Sequence, residues 1–210
     1  MRSSDCARRI LISMGLIAAA MAIHAQSLQG AALVRALQHG GFVIVMRHPN
    51  SPMTPPAKDQ LNADNLNGER QLDAEGIASA LAMGKALREL KIPIGEVLSS
   101  PTYRALETVK YAQFGAAKTV PELGEDAKGM QGGSDAMGVW LRDRVKKLPV
   151  GTNTICITHF PNLRSAWPEL AQSGTSVAEG EALIFGSDGK GGSALVARVK
   201  IDEWPKLAQQ

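Results

Sequence analysis

Apolar positions recur at helical spacing from Leu28 to Gln38, where Ala32, Leu33, Ala36 and Leu37 share one face before Gly40-Gly41 ends the run. Phe42-Val43-Ile44-Val45-Met46 differs in kind: it is continuous, short and β-branched, the pattern of a strand covered on both faces. After an aperiodic stretch, Asp73 supplies the cap of a helix through Lys91, with Ile77, Leu81, Gly84, Leu87 and Leu90 on one stripe and Pro93 beyond its end. Glu96-Val97-Leu98-Ser99 predicts a short strand, and Ser100-Pro101 predicts the cap and first position of a helix to about Phe114. A small strand near Thr119-Val120, a helix from Ser134 to Lys147 and a buried strand from Thr152 to Thr158 follow. Pro161 opens one further helix to about Gln172, and 181–186 with 194–201 make a hairpin around Asp188-Gly189-Lys190-Gly191-Gly192. Strands alternating with helices predict one domain, a three-layer α/β/α sandwich on a mostly parallel mixed sheet, with the antiparallel hairpin at one edge.

Three stretches stand outside this periodicity. Residues 49–69 carry Pro49, Pro52, Pro55 and Pro56, then Asn62, Asn65 and Asn67, and form a loop too long for a simple connection. Residues 124–133 are Gly-rich. The first 25 residues place Arg2, Arg8 and Arg9 ahead of an apolar run from Ile10 to Ile23, with small residues at Ala20, Ala22 and Ala25. That order is a secretory signal, and the run is shorter than the roughly 20 residues that span a bilayer. The expectation is cleavage after Ala22 or Ala25, no stable membrane insertion afterwards, and a periplasmic or secreted domain over 26–210.

Composition narrows the function classes. At 210 residues, 44% hydrophobic and 20% charged, the chain buries a real core and is not a disordered segment. Its formal charge of +3 is mostly in the leader: without residues 1–25, 20 basic residues face 19 acidic ones. A nucleic-acid partner therefore has no electrostatic motive. Four His and two Cys are too few for a zinc cluster beside other chemistry. Cys156 lies inside an apolar strand and reads as a buried small hydrophobe. Trp140, Trp167 and Trp204 are scattered, as packing residues are, and Arg142, Arg144, Lys146 and Lys147 read as a solvated helix face. Gly189-Lys190-Gly191 is a hairpin turn rather than a phosphate cradle, because Ile184 stands where the first Gly of a P-loop belongs.

The chemistry-bearing residues share one placement. Arg47-His48, Ser99-Ser100 with Arg104, and His159 each follow the carboxyl end of a predicted strand, where open α/β sheets bind ligands. Two Arg and two His converging there favour an anion site. The arginine fork matches phosphate oxygens, a neutral imidazole can attack phosphorus, and a second, protonated imidazole can steady the same oxygens.

On these residues the sequence resembles the histidine phosphatase superfamily, which includes the phosphoglycerate mutases. Met46-Arg47-His48-Pro49 is similar to its Arg-His-Gly signature, and Ser99-Ser100-Pro101 with Arg104-Ala105 and Thr108 to its second arginine motif. Ile157-Thr158-His159 resembles its second histidine motif, and 70–84 its helix after the first loop. The resemblance implies a phosphoglycerate mutase-like fold and phosphomonoester hydrolysis without metal or cofactor. It makes His48 the nucleophile that becomes phosphohistidine, with Arg47, Arg104 and His159 binding the phosphate. The family's carboxyl acid corresponds best to Glu125, with Glu122 and Asp126 as rivals.

Two departures bear on this expectation. Pro49 replaces the usual Gly and removes an amide donor, and Phe160 follows His159 where Gly is common. Three readings stay open: an exported phosphatase acting on a small phosphorylated substrate, a cell-envelope phosphosugar among the candidates; a non-catalytic phospho-ligand-binding module on the same fold; and a protein-phosphohistidine phosphatase.

Overall fold

Because successive side chains of a strand point to opposite faces, the apolar run Val43-Ile44-Val45-Met46 divides between two cores. In the computed structural model, which describes residues 27–126, 132–172 and 176–209, this run is strand β1 (Phe42–Arg47) near the middle of a six-stranded sheet. Ile44 and Met46 face one layer, built on α1 (Gly30–His39), α2 (Ala74–Glu89), α3 (Tyr103–Ala112) and α7 (Glu203–Leu207). Val43 and Val45 face the other, built on α4 (Gly133–Arg144) and α5 (Phe160–Ala166). The export leader expected over residues 1–25 lies outside the described residues.

The strand order is β3-β2-β4-β1-β5-β6, where β2 is Ile94–Ser99, β3 Lys118–Thr119, β4 Asn153–Thr158, β5 Ala182–Ser187 and β6 Ser193–Val199. The first four positions are parallel, and the β5–β6 hairpin adds two antiparallel strands beside β1. This is the expected three-layer α/β/α sandwich with a mixed sheet. Parallel register carries Arg47 opposite Thr158 and Ser99 opposite Ile157, so β1, β2 and β4 end together at one rim. At the opposite rim, buried Asn153 locks the layers: its Nδ2 donates to the Leu37 and Pro93 carbonyls at 2.8 and 2.9 Å, and its Oδ1 accepts from Phe42 N–H.

Several local expectations change. The helix expected from Ser100-Pro101 starts at Tyr103 with Thr102 as cap, because Ser100 Oγ is already engaged with the Thr102 amide and with His159. The single helix expected from Pro161 to Gln172 is two, α5 and α6 (Pro168–Gln172), since Pro168 drives Trp167 out of the helical region. Trp167 stacks on Phe185. The supposed solvated arginines are tied down: Arg142 donates to the Ser165 and Ala166 carbonyls at the end of α5, and Arg144 pairs with Glu96 and Thr154. Helix α7, not foreseen, places Trp204 fully inside the first core.

Two glycines set close approaches. Gly76 sits in the first turn of α2, where its N–H donates to the Asp73 cap at 2.7 Å and a Cβ would fall on the Asn50 carbonyl oxygen. At Gly84 a Cβ would fall on the Ala112 carbonyl, so α2 rests directly against the end of α3.

Candidate active site

Two strand ends and one helix start deliver the floor of the site. Buried His48 leaves β1, Arg104 lies in the first turn of α3, and His159 caps α5 directly after β4. Arg104 joins the two imidazoles: its Nε donates to His48 Nε2 at 3.2 Å and its Nη2 to His159 Nδ1 at 3.0 Å. The ring centroids are 5.1 Å apart.

Donor and acceptor inventory fixes both tautomers. The Pro49 carbonyl can only accept, so His48 Nδ1, 2.7 Å away, carries the proton and Nε2 presents a lone pair. Guanidinium can only donate, so His159 Nδ1 accepts, and its Nε2–H turns to Ser100 Oγ at 2.8 Å, with Thr102 Oγ1 at 3.2 Å. Burial, with Arg104, Arg47 and Arg70 nearby, pushes His48 down to about 3 and holds His159 well below the ordinary imidazole value. Both rings are neutral near pH 7. The protonated second imidazole expected from the sequence is corrected here: with Arg104 donating to Nδ1, His159 has no room for a second proton.

Arg47 enters from β1 but turns toward the β5 side of the site. Its Nη1 donates to the Val177 carbonyl at 3.0 Å, its Nη2 pairs with Glu179 at 2.9 Å, and its guanidinium lies 5.7 Å above the Phe160 ring. Its Nε is buried without a partner, an unspent donor among the described residues.

The rim is built from loops. A cleft of about 420 Å³ is lined by Glu69, Arg70, Thr102, Arg104, Glu125 and Asp126, among others. Glu125 bridges floor and rim: its Oε2 lies 2.5 Å from Arg104 Nη2 and its Oε1 3.4 Å from Arg70 Nη1. A carboxylate therefore occupies the arginine forks above His48. Of its rivals, Asp126 lines the same cleft, whereas Glu122 meets the neighbouring α5 through its backbone carbonyl, which accepts from Asn162 Nδ2 at 2.9 Å.

Arg70 heads the 70–84 motif, which assigns it no role, and it too lines the cleft. It is held by the Pro52 and Ser51 carbonyls at 2.6 and 3.0 Å, so the 49–69 loop aims its Nη1 at Glu125. Glu107 anchors that loop to α3: its Oε2 accepts from Leu72 N–H at 2.6 Å and its Oε1 from Asn62 at 2.7 Å. The sequence signal was an arginine at the far end of a Pro/Asn-rich loop, with no spacing to connect it to Arg104. Cys156 is fully buried and its thiol is pushed up to about 12, which removes it from the chemistry.

No family model matches the sequence, and curated proteins return no match. Solved structures do. A protein histidine phosphatase, SixA, complexed with tungstate superposes with TM-score 0.53 at 18% identity, covering 77% of this chain and 98% of its own. The phosphoserine phosphatase of Entamoeba histolytica in complex with 3-phosphoglyceric acid gives 0.51 at 15%, covering 75% and 95%. The phosphoglycerate mutase of Bacillus anthracis gives 0.50 at 14%, covering 82% and 99%. These likenesses establish a class of architecture. The chain has the phosphoglycerate mutase-like fold, the one on which histidine phosphatases are built.

Proposed function

We propose that the protein is an exported phosphatase that hydrolyses phosphomonoesters through a phosphohistidine on His48. The observation that carries this reading is the double donation of Arg104 to two buried neutral imidazoles, which presents the His48 Nε2 lone pair beside the guanidinium that would hold the phosphate.

Substrate phosphate, a dianion with better matched oxygens, displaces Glu125 from Arg104 and Arg70. Arg104, Arg70 and the unspent Nε of Arg47 then neutralise its oxygens, with His159 beneath. Once displaced, the Glu125 carboxylate takes up a proton from solvent, and the Arg104 Nε–H turns from His48 Nε2 to the phosphate; His48 Nε2 then attacks phosphorus in line, the bond to the leaving oxygen breaks, and that oxygen takes the proton from the Glu125 carboxyl. Water then attacks the phosphohistidine, Glu125 accepts its proton, and the P–N bond returns its electron pair to His48. The missing Pro49 amide is compatible with this, since the Pro49 carbonyl orients the nucleophile.

A second reading is supported by two neighbours described as SixA, a protein histidine phosphatase and a putative phosphohistidine phosphatase of Agrobacterium tumefaciens: the phosphoryl donor would be a phosphohistidine in a protein. Hydrolysis of p-nitrophenyl phosphate with EDTA present, beside His48→Ala, tests the shared chemistry. Turnover that is EDTA-resistant and falls at least a thousandfold in His48→Ala is expected. Phosphate binding with no turnover between pH 4 and 8 would leave the binding-module reading instead. Recovery of the processed protein from the periplasm or medium tests export.

A further inference from the structure

The end of β1 is covered by a turn that no motif marks. Residues 178–181 close on themselves: Glu181 N–H donates to the Ala178 carbonyl at 3.1 Å, while the Glu181 carboxylate accepts from Ala178 N–H at 2.8 Å and from Arg198 at 2.6 Å. The turn is clamped on the backbone of the two residues at the strand end. Arg47 N–H donates to the Glu181 carbonyl at 3.1 Å, and Gly180 N–H to the His48 carbonyl at 3.0 Å. Glu179 is thereby fixed beside the Arg47 guanidinium, whose Nη2 donates to its Oε1 at 2.9 Å. We infer that Glu179 is the positioning residue of Arg47: with the Val177 carbonyl and the Phe160 ring, its carboxylate fixes the plane in which the Arg47 guanidinium meets the phosphoryl group. The inference rests on the phosphatase reading for what Arg47 does, and on this geometry for what Glu179 does.

Three observations carry it. The first is the cradle itself. Arginine recognises phosphate through a rigid planar fork, so its orientation decides which N–H groups face the oxygens. The Val177 carbonyl takes one hydrogen of Nη1 at 3.0 Å, Glu179 takes one of Nη2, and the Phe160 ring lies 5.7 Å from the guanidinium carbon. Each Nη has a second hydrogen, and the cradle sets where it points. Phe160 thereby has a role that Gly could not fill. The second is location: the Arg47 charge acts, behind burial, to lower both imidazoles, and the Glu179 charge opposes the lowering that burial imposes on Arg70, so the pair borders the floor of the site. The third is that other roles fit poorly. A carboxylate this close to a phosphate site repels the dianion, and an ion pair whose side chains are 22% and 27% exposed contributes little to stability. What the placement of Glu179 serves is the orientation of Arg47.

The test compares Glu179→Gln with Glu179→Ala. Both remove the charge, and only Gln keeps an oxygen that accepts from Nη2, so their difference isolates orientation. The kcat/KM of the full protein for p-nitrophenyl phosphate is measured for each variant with Arg47 present and with Arg47→Ala, every protein being checked for folding by its thermal melt. Glu179→Met, of similar length but without the acceptor, gives the same comparison where Glu179→Ala does not fold. Glu179→Gln is expected to exceed Glu179→Ala about tenfold, and the two to coincide once Arg47 is replaced. Equal activity of the two with Arg47 present, or a gap that survives Arg47→Ala, overturns the inference while leaving the phosphatase. If the wild type hydrolyses no ester, the phosphatase reading alone fails, and the same cycle is read by calorimetry with inorganic phosphate. Binding about tenfold tighter in Glu179→Gln than in Glu179→Ala, with the gap lost in Arg47→Ala, then sustains the positioning role, and equal binding overturns it.

Discussion

The floor and the rim of the site are made differently. His48, Arg104 and His159 are almost fully buried, come from strand ends and a helix start, and hold one another through Arg104. Glu125 and Arg70 come from loops, meet across a partly open cleft, and Glu125 keeps 42% of its side chain exposed. The floor has one arrangement because β1, β2 and β4 are in register and their ends cannot move separately. The rim is held by the ion pairs of Glu125 with Arg104 and Arg70. Under the proposed function the nucleophile lies in the rigid half, while the adjustable half supplies admission and the acid.

Substitutions that separate the two halves test this division. The largest effect is expected at Arg104→Lys, which keeps the charge but loses the fork that reaches both imidazoles: kcat/KM should fall about a hundredfold or more, with no rescue at higher substrate. A loss confined to KM would place Arg104 with the rim. Glu125→Gln is expected to lower kcat up to about a hundredfold for alkyl phosphates but much less for p-nitrophenyl phosphate, whose leaving group needs no proton, while inorganic phosphate binds more tightly. Equal losses on both esters would give the acid role to Asp126 or Glu122. Arg70→Ala should raise KM about tenfold with kcat nearly unchanged, the pattern of one lost charged contact made equally to substrate and transition state.

The smallest effect concerns stability. His48 and His159 both bind protons less readily when folded than when unfolded, and for His48 the unfolded chain holds more protons between the ordinary value of 6.5 and about 3. Stability should fall as pH drops through that window, with His48 contributing on the order of 1 kcal/mol per pH unit and His159 acting in the same direction, and the His contribution should be flat above it. Denaturant melts of wild type and His48→Gln between pH 7 and 4 check the slope, which the variant should reduce. By the same shift, the acid limb of kcat/KM should lie below pH 5.

The floor was legible in the sequence because strand periodicity locates strand ends: His48 directly follows β1, His159 directly follows β4, and Arg104 lies just beyond the end of β2. The sheet order was legible only in outline: alternating strands and helices imply parallel pairing, while the place of β4 between β1 and β2 is a fact of packing. Arg70 was not legible, since a loop has no period and its aim is set by the Ser51 and Pro52 carbonyls and by Glu107 on another element. Nor was the turn of Arg47 toward Glu179, some 130 residues downstream. Ser100 was misread because Ser-Pro is an equally good helix start and hydrogen-bonding turn, and only the presence of His159 decides. Helix α7 was overlooked because Trp204 is a single large anchor with no stripe around it.

Gly76 carries a consequence for how variation in this protein is interpreted. It touches neither imidazole nor guanidinium, yet the backbone two residues beyond His48 leans on the space where its side chain would be. Any replacement pushes Asn50 away from α2, and with it the start of the loop that steers Arg70. A screen of random substitutions would therefore return Gly76 among the inactivating positions, grouped with His48, although what it supplies to the site is only a vacancy.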